Sequence, residues 1–277
     1  MQEATFHALA DLALNQTGQY IAPAKAYLVE TRLSALVRRE GFASCDELVA
    51  CLQARPNPVF EAEIVAALQT RQTWFFRDRD VLARLVGEII PQKLKGSKSG
   101  RLKILCTGVS TGQEAYSLAI LLGEHSQVLR GARIDITATD ICKQSLNIAR
   151  AGTYGHFEIQ NGLSIHRLLD HFTQLETGQW QASEELRRGI GFRSHNLLDE
   201  TAPLGHFDVI LCRHVLSGMG RAQRQKAAHR LTDKLAHGGL VFLGEGETLT
   251  GATDRLEPSH RHRGAWIYVP EGQRQVA

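Results

Sequence analysis

The chain has 277 residues, of which 43% are hydrophobic and 22% charged, so it is long enough for one large globular domain or two modest ones. A formal net charge of +3 is too small to indicate a nucleic-acid partner. No apolar run reaches the roughly 18 residues of a membrane span, and no basic region followed by an apolar stretch opens the chain, so we expect neither membrane insertion nor a signal peptide.

The first ninety or so residues have helical periodicity. Apolar side chains recur at helical spacing between Tyr27 and Val37, and Gly41 supplies a stop signal. Ser44 followed by Glu47 is a capping-box pattern that predicts the start of another helix. We therefore predict a helical domain over residues 1–95, followed by a small, polar and basic linker.

After this linker the period changes to alternating strands and helices. Strand-like runs occur at 102–106, 133–139, 190–195, 207–212, 239–244 and 265–269. Helical stretches at about 114–123, 141–150 and 221–236 lie between them. This alternation predicts a mostly parallel, doubly wound sheet that binds ligands at the carboxyl ends of its strands. The stretch 153–189 breaks the alternation and is predicted to be an insertion.

The segment from Thr107 to Glu114 connects the first of these strands to a helix. Gly108 and Gly112 let a ligand approach the backbone, and the N–H groups at the start of the helix are potential donors. The full G-x-G-x-x-G spacing is absent, so a nucleoside-type cofactor without phosphates fits as well as a dinucleotide. The alternative is an ordinary turn whose glycines serve packing, and this segment alone favours neither interpretation.

Polar residues follow three of the predicted strands. Asp140 is well placed for ribose hydroxyls, or it caps the following helix. Asn196 is suited to an adenine edge, or it is a turn asparagine. Arg213 and His214 lie beside a predicted cofactor site, although either residue is also compatible with the surface.

The five cysteines are odd in number and scattered, and no Cys/His cluster has zinc spacing. We therefore expect no metal site. Reduced cysteines in or beside apolar runs are typical of a reducing compartment, which predicts a cytoplasmic protein.

Several sequence blocks, taken in order, resemble one family. They are Thr73–Arg77, Ser110–Ser117, Ala138–Asp140, Asn196–Leu198, Phe207–Arg213 and Gly238–Leu240 leading to Gly244–Glu247. This series resembles the CheR-type chemotaxis receptor methyltransferases, which use S-adenosylmethionine (SAM) to methylate receptor glutamates. The match runs over nearly the whole chain.

The resemblance implies an α/β fold: a Rossmann-like SAM-dependent methyltransferase domain at 96–277 and a small all-α N-terminal domain at 1–95. The helical domain would face the receptor and cover the cofactor. SAM would be the cofactor, S-adenosylhomocysteine (SAH) its product, and the cytoplasmic helical region of chemoreceptors the partner.

The resemblance also implies roles for individual residues. Arg77 would be the catalytic residue, orienting the acceptor glutamate by a bidentate hydrogen bond. Glu114 and Asp140 would hold the methionine and ribose portions of SAM, in either order. Arg77 would also lie near the cofactor, and the remaining cofactor-binding candidates are Arg71, Thr73, Gly108, Asn196, Leu197, Arg213 and His214. Without the resemblance, Arg77 would instead be interpreted as a solvated charge.

The chain departs from the family pattern after the fourth strand. His214 stands where the family has asparagine, and Gly218 where it has tyrosine. Arg71 also replaces a frequent asparagine. An alternative function is therefore a catalytically weak or inactive SAM- or SAH-binding regulatory module, and a third is methylation of another acceptor such as a small carboxylic acid.

Two further expectations concern partners. The insert, about 154–188, has a helical pattern and is short for the three-stranded subdomain that docks a receptor peptide in relatives, so we predict that no such tether is needed. Lys25, Arg32 and Arg39 are spaced by seven with Arg38 beside them, which indicates a basic face for an acidic partner. An ordinary solvated face is the alternative.

Overall fold

The computed structural model describes residues 1–69, 72–97, 99–129, 131–199 and 204–260, and the backbone of 265–268. The chain divides into two compact units, Met1–Thr70 with Gly218–Lys226 and Arg71–Ser217 with Ala227–Ala277. The sequence predicts this boundary at residues 95 and 96. The structure has it at 70 and 71, because the helical segment after Asp78 buries Leu82, Leu85 and Ile89 in the core of the second unit.

The first unit contains helices α1 (Glu3–Thr17), α2 (Ala26–Arg39), α3 (Cys45–Ala54) and α4 (Pro58–Leu68). The predicted capping signal is confirmed: the Ser44 hydroxyl oxygen accepts the Glu47 backbone N–H at 3.2 Å, and the Glu47 carboxylate accepts the Ala43 N–H at 2.6 Å. The helices bury a shared apolar core that includes Leu9, Leu33, Leu48, Ile64 and Leu68.

The second unit contains the predicted alternation of strands and helices. Its strands are β1 (Arg101–Thr107), β2 (Arg133–Asp140), β3 (Thr153–Tyr154), β4 (Phe172–Gln174), β5 (Trp180–Ala182), β6 (Ile190–Ser194), β7 (Phe207–Cys212), β8 (Leu235–Leu243), β9 (Leu256–Pro258) and β10 (Ala265–Tyr268). Its helices are α5 (Arg79–Arg84), a π-helical turn (Leu85–Ile89), α6 (Ile90–Gly96), α7 (Gln113–Glu124), α8 (Ser126–Leu129), α9 (Lys143–Ala151), α10 (His156–Gln160), α11 (Ile165–His171) and α12 (Glu184–Arg188), with α13 (Arg221–Asp233) shared between the units. Within the described ranges, no helix is both long and apolar enough to cross a membrane.

The larger sheet has the strand order β6-β2-β1-β7-β8-β10-β9. Its first five strands are parallel, and β10 runs antiparallel to both β8 and β9. Thr107 at the end of β1 pairs with Thr139 of β2 and with Cys212 of β7. The residues that follow these three strands therefore meet at one edge of the sheet, as expected for a doubly wound fold.

The insert contains a small antiparallel sheet with the strand order β3-β5-β4. The prediction that it is too short and too helical for a three-stranded subdomain is therefore wrong. Its strands have only two or three residues each and lie between the short helices α10, α11 and α12, so the helical pattern dominated the sequence. The expectation that no receptor tether is needed rested on this prediction and loses its support.

An aromatic cluster joins the insert to the rest of the second unit. Phe75 packs edge-on against Tyr154 and Phe172, with ring centroids 5.2 and 5.5 Å apart. The Tyr154 hydroxyl donates to the Thr111 carbonyl oxygen at 2.7 Å. The turn after β1, the insert and the segment around Phe75 are therefore held in one packed arrangement.

Replacing Tyr154 by phenylalanine should lower the free energy of unfolding by about 1 kcal/mol, because the Thr111 carbonyl loses its partner. Tyr116→Phe should cost a similar amount, since the Tyr116 hydroxyl donates to the Ala149 carbonyl at 2.7 Å. Tyr20→Phe is the control, because the Tyr20 side chain is 59% exposed. Chemical denaturation measures all three, and equal stability of all three variants would contradict this account.

Candidate active site

The turn after β1 is closely packed against its neighbours. The Gly108 and Val109 N–H groups donate to the Thr139 carbonyl oxygen at 2.8 and 3.1 Å. Gly108 has φ +71°, and a Cβ atom there would lie 2.4 Å from a methyl group of Val215. Packing alone therefore requires a glycine at this position, in addition to any role in binding a ligand.

Asp140 supports this turn with its carboxylate. One oxygen accepts the Ser110 N–H at 2.7 Å and the other accepts the Cys142 N–H at 2.8 Å. Helix α9 begins after Cys142, so Asp140 is not its N-cap residue. Asp140 fixes the backbone of the turn and presents a buried carboxylate at the end of β2.

Arg213 directly follows β7, and its side chain is 0% exposed. Nη1 donates to the Glu114 carboxylate at 2.7 Å, and Nη2 lies 2.9 Å from the Asp78 carboxylate. Nη2 also donates to the Arg77 carbonyl oxygen. A buried guanidinium is stable only when paired in this way, so Arg213 ties together the elements that carry these three partners.

Glu114 lies in the first turn of α7, and its side chain is 14% exposed. Burial raises the pKa of Glu114, while the Arg213 guanidinium acts in the opposite direction. For Asp78, burial also acts to raise the pKa, but the hydrogen bonds from Arg213 and His214 prevail and the pKa of Asp78 is lowered. The two carboxylates that share Arg213 therefore differ in how readily they take up a proton.

His214 is fixed on two sides. Its Nε2 lies 2.7 Å from the Asp78 carboxylate, and its backbone N–H donates to Glu247 at 2.6 Å. Glu247 also accepts the N–H groups of Ser217 at 2.8 Å and Gly244 at 2.9 Å. Glu247 therefore joins the segments that follow β7 and β8.

The backbone is strained around this cluster. In the described part of the chain, the non-glycine residues with left-handed φ are Phe76 (+54°), Asp78 (+49°), Ser110 (+51°) and His214 (+59°). All belong to the turn after β1, the loop after β7 or the segment before α5. Such conformations cost free energy, and their concentration at one place is typical of a functional site.

Arg77 lies in the same segment as Asp78. Its guanidinium stacks on Trp74, with Cζ 4.3 Å from the ring centroid, and Nη1 donates to the Gln72 carbonyl at 2.8 Å. Burial lowers the pKa of Arg77. Thr73, the other candidate here, is half-buried, and Arg71 lies outside the described residues.

Asn196 and Leu197 follow β6, which is paired with β2. The Asn196 side-chain oxygen accepts the Leu198 N–H at 3.0 Å, so the turn interpretation of this asparagine is supported. Leu197 is buried. The Ser194–Asp140 pair in the sheet register brings the start of this loop beside Asp140, at the same edge as the Arg213 cluster.

Sequence reasoning missed Asp78 and Glu247. Asp78 lies in an alternating run of arginine and aspartate that is typical of a solvated surface. Glu247 belongs to the last block of the family resemblance, but that block gave it no role. The motif could have indicated Glu247, whereas no local pattern distinguishes Asp78 from its neighbour Asp80.

The basic face on the first unit is smaller than predicted. Arg32 is half-buried and donates to the Leu68 carbonyl at 2.5 Å. Arg39 pairs with Glu40 and Glu63. Lys25 precedes α2 and is exposed, as is Arg38.

The chemistry of the site fits a polar, cationic ligand. The site residues named above include four carboxylates, those of Asp78, Glu114, Asp140 and Glu247, against the two guanidinium groups of Arg77 and Arg213. Buried polar atoms without a partner are also present at this edge of the sheet, namely Ser110 Oγ, Thr139 Oγ1 and Arg213 Nε. A ligand with a net positive charge would offset the excess of carboxylates.

Two family models match the chain. The model described as CheR methyltransferase, all-alpha domain, matches residues 4–69, and that described as CheR methyltransferase, SAM binding domain, matches residues 71–265. The chemotaxis protein methyltransferase Cher2 of Pseudomonas putida is 34% identical over 238 residues, covering 84% of this chain and 86% of that protein. A chemotaxis protein methyltransferase of Vibrio parahaemolyticus is 34% identical over 245 residues, 88% of each chain.

The doubly wound sheet and the matching domain define the second unit as a SAM-binding methyltransferase domain. With both domains present, the chain belongs to the CheR methyltransferase family. SAM is the cofactor, and its sulfonium charge agrees with the excess of carboxylates at the site.

The raised pKa of Glu114 predicts that SAM binding depends on pH. A cationic ligand favours the ionised carboxylate, so a proton held by Glu114 at acid pH must leave on binding. Affinity should therefore fall as the pH is lowered, which a comparison of pH 6.5 with pH 5 measures. Glu114→Gln should bind SAM more weakly at pH 6.5 and lose most of this dependence. Calorimetric titration at both pH values measures the effect.

Glu124→Gln is the matched control, because Glu124 is bonded to Arg167 at 2.7 Å outside this site. It should keep both the affinity and the pH dependence of the unaltered protein. An unchanged pH dependence in Glu114→Gln would contradict the assignment of Glu114 to the cofactor site.

Proposed function

We propose that this chain is a protein-glutamate O-methyltransferase that acts in the cytoplasm on the helical region of chemoreceptors. The names of its relatives support the chemotaxis role, since each is described as a chemotaxis protein methyltransferase. The similarity extends over both domains.

The observation that carries the carboxylate specificity is the setting of Arg77. Stacking on Trp74 and one bond to the Gln72 carbonyl hold the guanidinium in place. An arginine has five N–H donors, so Arg77 retains donors for a bidentate bond to an acceptor carboxylate. A glutamate is already ionised near neutral pH, so its methylation requires orientation rather than a general base.

Other residues of the site would bind and enclose the cofactor. Bound SAM supplies an activated methyl group, which leaves positioning and exclusion of water to the protein. Glu114 and Asp140 would hold its methionine and ribose portions, in either order. Thr73, Gly108, Asn196, Leu197, Arg213 and His214 would form the rest of the site.

The alternative of an inactive SAM- or SAH-binding module arose from His214 and Gly218. His214 is integrated in the site through Asp78 and Glu247. At Gly218 a Cβ atom would meet nothing within 4 Å, so its neighbours neither require nor exclude a glycine there. Neither observation favours the inactive alternative over methyl transfer.

For the receptor-facing surface, we propose the exposed basic residues at the two ends of α2, Lys25 and Arg38. Both residues are exposed, and receptor helices that carry glutamates have the complementary charge. Arg32 and Arg39 would contribute less, because Arg32 is bonded to a carbonyl and Arg39 to two carboxylates.

Incubation with methyl-labelled SAM and cytoplasmic receptor fragments tests the proposed reaction. The unaltered protein should incorporate alkali-labile methyl groups into the fragments. Arg77→Ala should reduce incorporation by about 100-fold or more, a loss in the range expected for a residue that orients the acceptor. Arg79→Ala is the matched control, since Arg79 is exposed two residues away and should leave the rate unchanged.

The other outcomes separate the hypotheses. Transfer at the unaltered rate in Arg77→Ala would remove Arg77 from the mechanism. Measurable SAM binding without any transfer would support the regulatory module instead. Transfer only to small carboxylic acids would support the third possibility.

A further inference from the structure

Asp78 is placed where an aspartate would normally cap a helix, but it does not. It precedes the first residue of α5, and its side chain makes no capping hydrogen bond to that helix. Its backbone has φ +49°, a strained conformation for a non-glycine residue. The contacts that Asp78 makes elsewhere must therefore compensate for both the lost cap and the strain.

Those contacts converge on one carboxylate oxygen. Oδ2 of Asp78 lies 2.9 Å from Arg213 Nη2 and 2.7 Å from His214 Nε2. The other terminal nitrogen of the same guanidinium, Nη1, donates to the Glu114 carboxylate. Because a guanidinium is planar and rigid, fixing Nη2 also fixes the direction in which Nη1 meets Glu114.

His214 supports this arrangement and is poorly placed to act as a base. Its Nδ1 and Cε1 face Gly244, where an added Cβ atom would lie 2.7 and 2.8 Å from them. Its other ring nitrogen is engaged with Asp78. The imidazole is therefore packed between a carboxylate and a backbone segment, and it acts on the site through Asp78.

The Arg77 backbone is held by the same guanidinium. The Arg77 carbonyl oxygen accepts a hydrogen bond from Arg213 Nη2, the nitrogen that Asp78 also binds. The residue that orients the acceptor and the residue that fixes Arg213 are thus consecutive in the chain. A change at Asp78 therefore disturbs both the Arg213–Glu114 contact and the position of the Arg77 backbone.

We propose that Asp78 is a positioning residue for methyl transfer. Its carboxylate holds the Arg213 guanidinium in the orientation that contacts Glu114 and the Arg77 carbonyl oxygen, and the His214 imidazole holds that carboxylate in place. Asp78 acts through these residues and touches neither SAM nor the acceptor. The transfer part of this proposal rests on the proposed function, whereas the cofactor-binding part requires only the shared site.

Calorimetric titration with SAH tests the cofactor-binding part without an acceptor. Asp78→Asn should raise the Kd about tenfold, because the Arg213–Glu114 contact loses its fixed geometry. Asp78→Glu, which keeps the charge, should bind more tightly than Asp78→Asn. Asp80→Asn is the matched control, since Asp80 lies exposed in the first turn of the following helix α5. Its affinity should stay within twofold of that of the unaltered protein. Unaltered SAH affinity in a folded Asp78→Asn protein would overturn the proposal.

The transfer assay then separates positioning from simple loss of structure. Asp78→Asn should lower kcat about 30-fold and change the KM for receptor fragments by no more than about threefold. His214→Ala should lower kcat about fivefold alone and have no further effect when combined with Asp78→Asn, as expected for residues that act as one unit. Independent, multiplying effects would overturn the role of His214.

Each proposal can fail separately. If the unaltered protein binds SAH but methylates no receptor fragment, the proposed function fails and the SAH titrations still decide the role of Asp78. If Asp78→Asn proves too unstable to assay, His214→Ala carries the test, and an unchanged kcat in that variant would overturn the proposal.

Discussion

The buried guanidinium of Arg213 is the interaction on which the rest of the site depends. A fully buried cation is tolerated only with compensating carboxylates, and Arg213 has two, Asp78 and Glu114. These carboxylates come from the segment before α5 and the first turn of α7. The parallel ladder of β1 and β7 brings the end of β7 beside the turn that leads to α7, and Arg213 joins both to the segment that carries Arg77.

The strained backbone follows from this constraint. Loops that must bring a carboxylate and a carbonyl to one guanidinium, and an imidazole to that carboxylate, have few conformations left. Asp78 and His214 both take left-handed ones. The strained loops hold these groups in fixed positions, which fits the proposed role of the site in positioning a cofactor and an acceptor. For transfer to a carboxylate, which requires no base, such positioning is the main contribution that a protein can make.

The sequence predicted the parts of this structure that depend on local patterns. Apolar runs identified the strands of the larger sheet except β9 (Leu256–Pro258), which no run predicted. The family blocks indicated the sheet edge with Glu114, Asp140 and Arg213. The small sheet of the insert was not predicted, because strands of two or three residues show no periodicity in the sequence. The domain boundary was misplaced because the helical segment after Asp78 has the same apolar spacing as the helices before it. Asp78 was missed since its partners are distant in sequence and no pattern reveals a left-handed φ in an aspartate.

We propose that the two-sided pairing of Arg213, and not merely its charge, organises the cofactor site. A calorimetric titration of SAM into Arg213→Lys tests this most directly, because lysine keeps one positive charge but lacks the rigid fork that meets two carboxylates. The account predicts a folded protein whose affinity for SAM is at least tenfold weaker. An affinity equal to that of the unaltered protein would contradict it.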